Sequence, residues 1–460
     1  MNQKAQTIDQ KLKKVMQRAV TLHRDGKLDE AEPLYRNYLA TWPHNAHAWT
    51  NLGALLRSRD LYEPSIAMHR KALQINPGLE AARINLANVL ADHGCFEEAE
   101  ALRRALHEAD PDDPIRLRDL CAALRGLGRH DEVIALVDAA EARLGEVDEC
   151  LVQRSLSHLM KGNYQQGFAD FERRHAGDEV SLPENAPWPR WLGEDPRDKK
   201  ILIVPEQGFG DAVLMSRFLP GLKARGAEVS MIVKPPLRRL LARLEGLDHM
   251  PEAARTSQSF DFYTPNMSLP HLVGLPDGAS PPLPRLTIPE DSRGRARALT
   301  AAHGKTFKIG VVWTGSTTYR NNNRRSAGPE SFLGLATVPG VQLFSLYKGA
   351  AHDAFLKSGM VGLIVDACGT DRDFADTAAV IEKMDLMITT DTAVVHIAAS
   401  LGKPVWNLLS REGYWLYGLG DTTPWYPSIR LFRQTVQGDW AELFGRVEAA
   451  LRAHLEDRKS

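Results

Sequence analysis

The chain has 460 residues, 43% of them hydrophobic and 25% charged, enough apolar material for several domains of about 150 residues with their own cores. Lys+Arg 57 against Asp+Glu 58 leaves a formal net charge of -1, which excludes a whole-surface nucleic-acid binder. The four cysteines (Cys95, Cys121, Cys150, Cys368) form no CxxC pair, so neither a disulfide framework nor a zinc site is signalled. The first residues, MNQKAQTIDQKLKK, are polar, and no run of 18 apolar residues occurs, so no membrane span is expected and a reducing cytoplasm is the expected compartment.

The first third repeats. Pro43, Pro77 and Pro111 stand 34 residues apart, and three further series keep that register: Ala31, Ser65, Ala99; Leu22, Leu56, Leu90; Ala19, Gly53, Ala87. Small residues let paired helices approach, large ones fill the seam, and proline ends the second helix because it lacks an N–H and clashes with the preceding turn. Trp49, Leu52, Gly53, Ala72 and Pro77 of the middle unit occupy tetratricopeptide positions. Turns fall at Arg24–Lys27, Arg59-Asp60, His93–Cys95 and Gly126–Gly128, and Gly145 takes the proline register in a fourth unit. A fifth helix pair, Leu151–Met160 and Tyr164–Arg174, flanks Gly162-Asn163. Residues 1–176 are therefore read as a helical solenoid, a quasi-one-dimensional array of the kind that offers a concave face to a polypeptide.

Residues 177–199 break the helical pattern with Pro183, Pro187, Pro189 and Pro196, and Trp188 and Trp191 mark a packed joint. Beyond it, apolar runs alternate with helical patterns, the texture of parallel α/β structure. Strands are expected at Ile201–Val204, Val229–Val233, Ile309–Trp313, Gln342–Leu346, Leu386–Thr389 and Val405–Leu409. Helices are expected at Asp211–Lys223, Leu237–Leu244, Glu330–Ala336, Asp373–Met384, Thr392–Leu401 and Trp440–Leu455. The Pro/Gly-rich stretch Asp277–Asp291 separates two Rossmann-like lobes, 200–288 and 289–460, with a ligand cleft between them at the strand ends.

Three strand-end motifs can carry chemistry. Glu206-Gln207-Gly208-Phe209-Gly210-Asp211 opens the first helix of the first lobe. Its glycines permit a tight turn, and Asp211 is either an N-cap or a cleft carboxylate able to deprotonate a hydroxyl. Asp391-Thr392-Ala393-Val394-Val395-His396 ends a strand and starts a helix. The free N–H groups there suit a phosphate, with Thr392 and His396 on one face; a plain capped helix is the alternative. Trp313-Thr314-Gly315-Ser316 can cradle a diphosphate, and Arg320, Arg324 and Arg325, interleaved with Asn321, Asn322 and Asn323, form either a charge-offsetting cluster or an exposed basic loop. Asp371-Arg372-Asp373 has DxD form but reads as helix capping, and GxGxxG, a P-loop lysine, Gly-x-Ser-x-Gly and metal-ligand spacings are absent.

From Trp191 to Leu455 the chain resembles the heptosyltransferase-like glycosyltransferases of the GT-B class, and most of all the branch that carries N-terminal tetratricopeptide repeats and includes bacterial flagellin and protein glycosyltransferases. The resemblance rests on EQGFGD (206–211), WTGS (313–316), DTAVVHIAASLGKPVW (391–406), WYPSIRLFRQTVQGDW (425–440) and, before the joint, GNYQQGFADFERR (162–174). It implies an inverting glycosyl transfer with Asp211 as general base and a donor diphosphate held by Asp391, Thr392, Ala393 and His396. Thr314, Gly315, Ser316 and Arg325 would line the same diphosphate site, with Glu206, Gln207, Gly208 and Gly210 forming the cleft loop. Ala393 and Ala399 stand where the simpler relatives carry or often carry glycine, so the sugar and nucleotide do not carry over.

The nucleotide sugar is expected as substrate, with no cofactor and no metal. The preferred acceptor is a Ser/Thr hydroxyl of a protein such as flagellin held by the array, with no nucleic-acid partner. Two alternatives stand beside it: transfer to lipopolysaccharide or polysaccharide, and a scaffold whose transferase domain is degenerate.

Overall fold

The structure is a computed structural model that describes residues 3–145, 147–175, 187–253, 259–316 and 322–458, with side chains from residue 12 onward. Two compact units emerge, Met1–Glu132 and Val133–Ser460. Residues 176–186 of the Pro/Trp joint, with Pro183, and Arg320 and Asn321 of the basic cluster lie outside the described residues.

Ten helices come first, paired as Gln3–Arg24 and Leu28–Thr41 (α1, α2), Ala46–Arg57 and Tyr62–Ile75 (α3, α4), and Glu80–His93 and Phe96–Ala109 (α5, α6). Pro114–Gly126 and His130–Leu144 (α7, α8) and Asp148–Met160 and Tyr164–Phe171 (α9, α10) follow. The 34-residue register becomes geometry. Each of Pro43, Pro77 and Pro111 stands in the turn just past an even-numbered helix. Ala31, Ser65 and Ala99 are fully buried at the crossings, and the Ser65 hydroxyl donates to the Gly53 carbonyl at 2.7 Å. A β-carbon on Gly53 would lie 2.7 Å from the His69 ring, which is why the small position is small. The hairpin turns share one backbone state: Gly26, Asp60, Gly94, Gly128 and Gly162, each 34 residues from the next, all have positive φ. Asp60 takes that state without being glycine and accepts from the Tyr62 hydroxyl at 2.6 Å.

The second unit holds two parallel sheets. The smaller has order β2-β1-β3, from Lys200–Val204 (β1), Glu228–Met231 (β2) and Phe262–Pro265 (β3). In it Ile201 pairs with both Val229 and Phe262. The larger has order β6-β5-β4-β7-β8-β9. Its strands are Phe307–Val312 (β4), Val341–Ser345 (β5), Ile364–Asp366 (β6), Leu386–Thr390 (β7), Val405–Leu409 (β8) and Ile429–Arg433 (β9). All five residues of β7 and of β8 are buried, as parallel strands covered on both faces require. The helices that matter here are Phe209–Met215 (α11), Glu290–Thr300 (α12), Phe374–Lys383 (α13), Ala393–Ser400 (α14) and Trp440–Asp457 (α15).

Several helix expectations need correction; Glu330–Ala336, for one, is a 3-10 turn over Pro329–Phe332 and an α-helix only at Leu333–Ala336. The run expected over Asp211–Lys223 begins at Phe209 and breaks after Met215 into a 3-10 turn and a short helix, Leu219–Ala224. Pro220 has no N–H to continue the first ladder. Leu237–Leu244 is not a helix: a 3-10 turn at Pro235–Leu237 passes into hydrogen-bonded turns, and the Leu240 carbonyl accepts from Thr287 N–H instead.

The division between units also falls earlier than the end of the helical pattern at 176, because α9 and α10 belong to the core of the second unit. Leu159, Tyr164, Phe168 and Phe171 share one hydrophobic cluster with Trp191, the β1 and β4 strands and Trp425. A buried ion network reinforces this. The Arg174 guanidinium, just past α10, makes a two-pronged contact with Glu206 (Nε–Oε1 2.6 Å, Nη2–Oε2 2.7 Å), and both side chains are almost wholly buried. Arg174 also donates to Glu172 and to Ser268 Oγ, and Arg190 reaches Glu172.

Removing one member of such a pair strands the other charge. Arg174→Ala should therefore destabilise the second unit by about 3–5 kcal/mol, whereas an Arg174→Met, Glu206→Leu double variant should recover most of it. The two urea midpoints check this.

Candidate active site

Both chemically loaded turns leave the carboxyl ends of parallel strands and enter helices, the place where α/β sheets bind ligands. One follows β1 and leads into α11; the other follows β7 and leads into α14. Their first turns touch. A β-carbon on Gly210 would lie 2.6 Å from His396 Cδ2 and 3.4 Å from the Ala393 Cα, so only glycine allows the approach.

Asp211 sits in the first turn of α11, partly buried. Its Oδ2 accepts from Gly208 N–H at 2.9 Å, and its Oδ1 accepts from the Tyr414 hydroxyl at 3.2 Å. The first bond is a cap; the second aims the carboxylate. The N-cap residue of α11 is Gly208, and Asp211, three residues on, bonds back to its N–H as in a capping box. Asp391 precedes α14, and its Oδ1 accepts from the Tyr417 hydroxyl at 2.8 Å. The two carboxylates are close enough for the negative charge of Asp391 to raise the Asp211 pKa.

The remaining sequence-predicted residues divide into those at this centre and those that build its walls. Thr392 is the N-cap position of α14, with extended backbone and its hydroxyl 3.5 Å from that of Thr389. His396 is buried; its Nδ1 lies 3.1 Å from the Tyr426 hydroxyl, and burial with the nearby Arg217 charge lowers its pKa to about 3. The imidazole is therefore neutral, with Nδ1 toward Tyr426 and Nε2 on the side of Gly210.

Thr314 is largely committed inside the protein. Its hydroxyl is 2.7 Å from Ser326 Oγ and accepts from Asn322 Nδ2 at 3.0 Å. Asn322 Oδ1 in turn accepts from Gly315 N–H and from Arg325 Nε. A β-carbon on Gly315 would meet Arg325 Nη2 at 2.5 Å, so the guanidinium lies against the turn; burial raises the Asp391 pKa, and the Arg325 charge offsets part of that rise. Ser316 closes the described part of that turn.

In the first-lobe turn, Glu206 is occupied by Arg174 and does not present a free carboxylate, while the Gln207 carbonyl accepts from Lys234 Nζ at 2.6 Å. Asp373 of the DxD triplet is a helix cap, accepting from Ala375 and Asp376 N–H. No group of three or more His, Cys, Asp or Glu able to hold a metal occurs among the described residues. None of the described helices is long and apolar enough to cross a membrane.

Sequence reasoning missed Tyr414 and Tyr417, the donors to both carboxylates. A signal was present: five aromatic residues, Tyr414, Trp415, Tyr417, Trp425 and Tyr426, crowd into one short segment. Burial beside Asp211 and Asp391 raises both tyrosine pKa values well above the usual range, so both remain hydroxyl donors.

Comparison with known proteins adds family relationships. Residues 62–124 match the tetratricopeptide repeat family, and residues 355–412 match glycosyltransferase family 9 (heptosyltransferase). The latter stretch contains Asp391, Thr392, Ala393 and His396 but not Asp211. The chain is 25% identical over 455 residues to Protein FlbA of Caulobacter vibrioides, an alignment spanning 92% of this chain and 75% of that one. A solved glycosyl transferase family 9 structure from Veillonella parvula covers 53% of this chain and 88% of its own, at 13% identity and a TM-score of 0.40. YrrB, a TPR protein with an unusual peptide-binding site, covers 35% of this chain and 82% of its own, at 17% identity and a TM-score of 0.30.

The electrostatics of Asp211 can be read without any substrate. Burial, with a smaller contribution from Asp391, pushes its pKa from 3.8 up to about 6. Between those values the folded chain keeps a proton that the unfolded chain has released, so stability falls as pH rises through that window. Asp211→Asn, which retains an acceptor for Gly208, should therefore stabilise the protein by about 1–2 kcal/mol at pH 8 and by almost nothing below pH 4. Thermal unfolding of both proteins across pH checks the sign.

Proposed function

Because the chain joins tetratricopeptide repeats to a glycosyltransferase family 9 domain, we propose that it transfers a sugar from a nucleotide-sugar donor to an acceptor hydroxyl with inversion at the anomeric carbon. The observation that carries this reading is the carboxylate of Asp211, held by Gly208 and Tyr414 beside the N-terminus of α14. A base with a pKa of about 6 is largely ionised at neutral pH yet keeps more proton affinity than an ordinary carboxylate, the compromise that general-base catalysis requires.

In this reading the acceptor oxygen attacks the anomeric carbon as its proton passes to Asp211. The new C–O bond forms while the bond from the anomeric carbon to the diphosphate oxygen breaks, through an oxocarbenium-like transition state. The diphosphate leaves with the bonding pair. Its charge is met by the free N–H groups at the start of α14, by the Thr392 hydroxyl and by Arg325, whose guanidinium is already held at the Gly315 turn. His396, neutral, brings no positive charge. Asp391, whose carboxylate accepts from the Tyr417 hydroxyl, stays with Thr392 and Ala393 in the motif proposed to hold the donor.

For the acceptor we propose a Ser/Thr hydroxyl of a protein such as flagellin, delivered by the repeats, because such arrays hold polypeptides. The heptosyltransferase description of the matching family favours a carbohydrate acceptor as the second reading.

A panel of nucleotide sugars incubated with the pure protein and cell extract, read by intact-protein mass spectrometry and glycolipid analysis, separates these. Mass added to a polypeptide supports the first reading, glycolipid the second, and no transfer to either with no nucleotide binding overturns both. Asp211→Asn should lower turnover by about 10²–10⁴-fold with nucleotide affinity retained, and wild-type turnover should fall as pH drops through about 6. Undiminished turnover in that variant rules Asp211 out as the base.

A further inference from the structure

The two tyrosines that hold the carboxylates belong to one segment, residues 414–426, whose rings Trp415, Tyr417, Trp425 and Tyr426 are buried, and α9 and α10 pack against Trp415 and Trp425. Tyr414 and Tyr417 lie on a turn closed by Tyr417 N–H to the Tyr414 carbonyl at 3.0 Å. Trp415 and Trp425 pack edge to face with centroids 5.5 Å apart, and the Thr423 hydroxyl ties the segment back to the Leu416 carbonyl at 2.7 Å. Phe168 of α10 stands perpendicular to Trp415 at 5.4 Å and also meets Trp425. Trp425 Nε1 donates to the Tyr164 hydroxyl at 2.9 Å, and the ring of Tyr164 meets it edge-on at 5.5 Å. Gly418 approaches the Met160 carbonyl at the end of α9. Trp425 and Tyr417 are fully buried, and Trp415 nearly so.

A tyrosine ring has two torsions, so where its backbone and ring are clamped its hydroxyl has one direction. Tyr414 packs on Trp415 at 5.1 Å, and Trp415 packs on Phe168. The chain of contact therefore runs from α10 through Trp415 to Tyr414 and on to Asp211. On the strength of the reading that Asp211 is the base, we propose that the α9–α10 hairpin is a positioning element of the active site, acting through the aromatic segment 414–426 to aim Tyr414 at Asp211 and Tyr417 at Asp391. The last helix pair of a repeat pattern then serves the chemistry, apart from any role of the repeats in binding an acceptor.

The readout is the titration of Asp211 itself, followed by carbon NMR of full-length protein labelled at the aspartate carboxyls, with Asp211→Asn identifying the signal. Asp211 is faced by Gly208 N–H and Tyr414 from its own turn and the aromatic segment, by Asp391 and the neutral His396 across Gly210, and by Tyr426 with Arg217 behind them. Tyr414→Phe keeps the ring and removes the donor to the ionised form, so the midpoint should rise by about one pH unit. Phe168→Ala should raise it in the same direction in the wild-type background and leave it unchanged in the Tyr414→Phe background, because its effect passes through that hydroxyl.

Tyr164→Phe, which removes only the acceptor of Trp425 Nε1, repeats the test if Phe168→Ala does not fold, with the same expected pattern. A midpoint unmoved by the hairpin variants, or moved equally in both backgrounds, overturns the proposal. Loss of the catalytic reading looks different: Asp211→Asn would then turn over sugar nucleotide normally while the titration coupling persisted.

Discussion

At Gly210 the backbone of α11 comes so near His396 and Ala393 of α14 that no β-carbon fits between them. A glycine inside a helix costs about 1 kcal/mol relative to alanine. Here that cost gives two helix N-termini, from two different sheets, a common point of contact. With the first turns in contact, the Asp391 carboxylate is close enough to Asp211 to raise its pKa.

Two carboxylates brought together in a partly desolvated site would repel each other and bind protons unless something offered them hydrogen bonds. Tyr414 and Tyr417 do so one each, from a single turn, and Arg325 adds positive charge on the Asp391 side. Burial raises the pKa of both carboxylates, and the Arg325 charge offsets part of that rise at Asp391. With a pKa of about 6, Asp211 suits the general-base role proposed for it. The arrangement lowers stability at neutral pH, as sites built for chemistry commonly do.

What the sequence disclosed follows from the range of the interactions involved. The repeats were legible because each helix pair meets its neighbours through positions at a fixed spacing, and even the left-handed turns at Gly26, Gly94, Gly128 and Gly162 keep it. Strands β1, β4, β7 and β8 were legible as continuous apolar runs. Strands β3 and β6 were not, being four and three residues long with polar or proline members, and β9, at the edge of its sheet, has its apolar residues interrupted by Arg430 and ended by Arg433. Helix α12 went unseen because its sequence, EDSRGRARALT, shows little apolar periodicity; it is held by Arg293 to Glu382 and by Ser292 to Asp376.

At the site, motif spacing located the two strand-end turns. It could not show that Glu206 is taken up by Arg174, that Thr314 is occupied by Asn322 and Ser326, or that tyrosines some 200 residues from Asp211 complete it. Those are tertiary pairings with no local signature.

The place where the repeat pattern stops is therefore not where the first body of the protein stops. Stacked repeats bury one another's faces, and a terminal repeat needs a cover for the face it would otherwise leave to water. For α9 and α10 that cover is Trp415, Trp425 and the β1 side of the joint, sealed by the Arg174–Glu206 pair. A cut at residue 176 would open a single hydrophobic core, whereas the division between compact units falls in the first turn of α8. The catalytic body is accordingly larger than its two sheets. Its outer helices pack on the aromatic layer that carries Tyr414 and Tyr417, which gives the hairpin a path of direct contact to the two carboxylates.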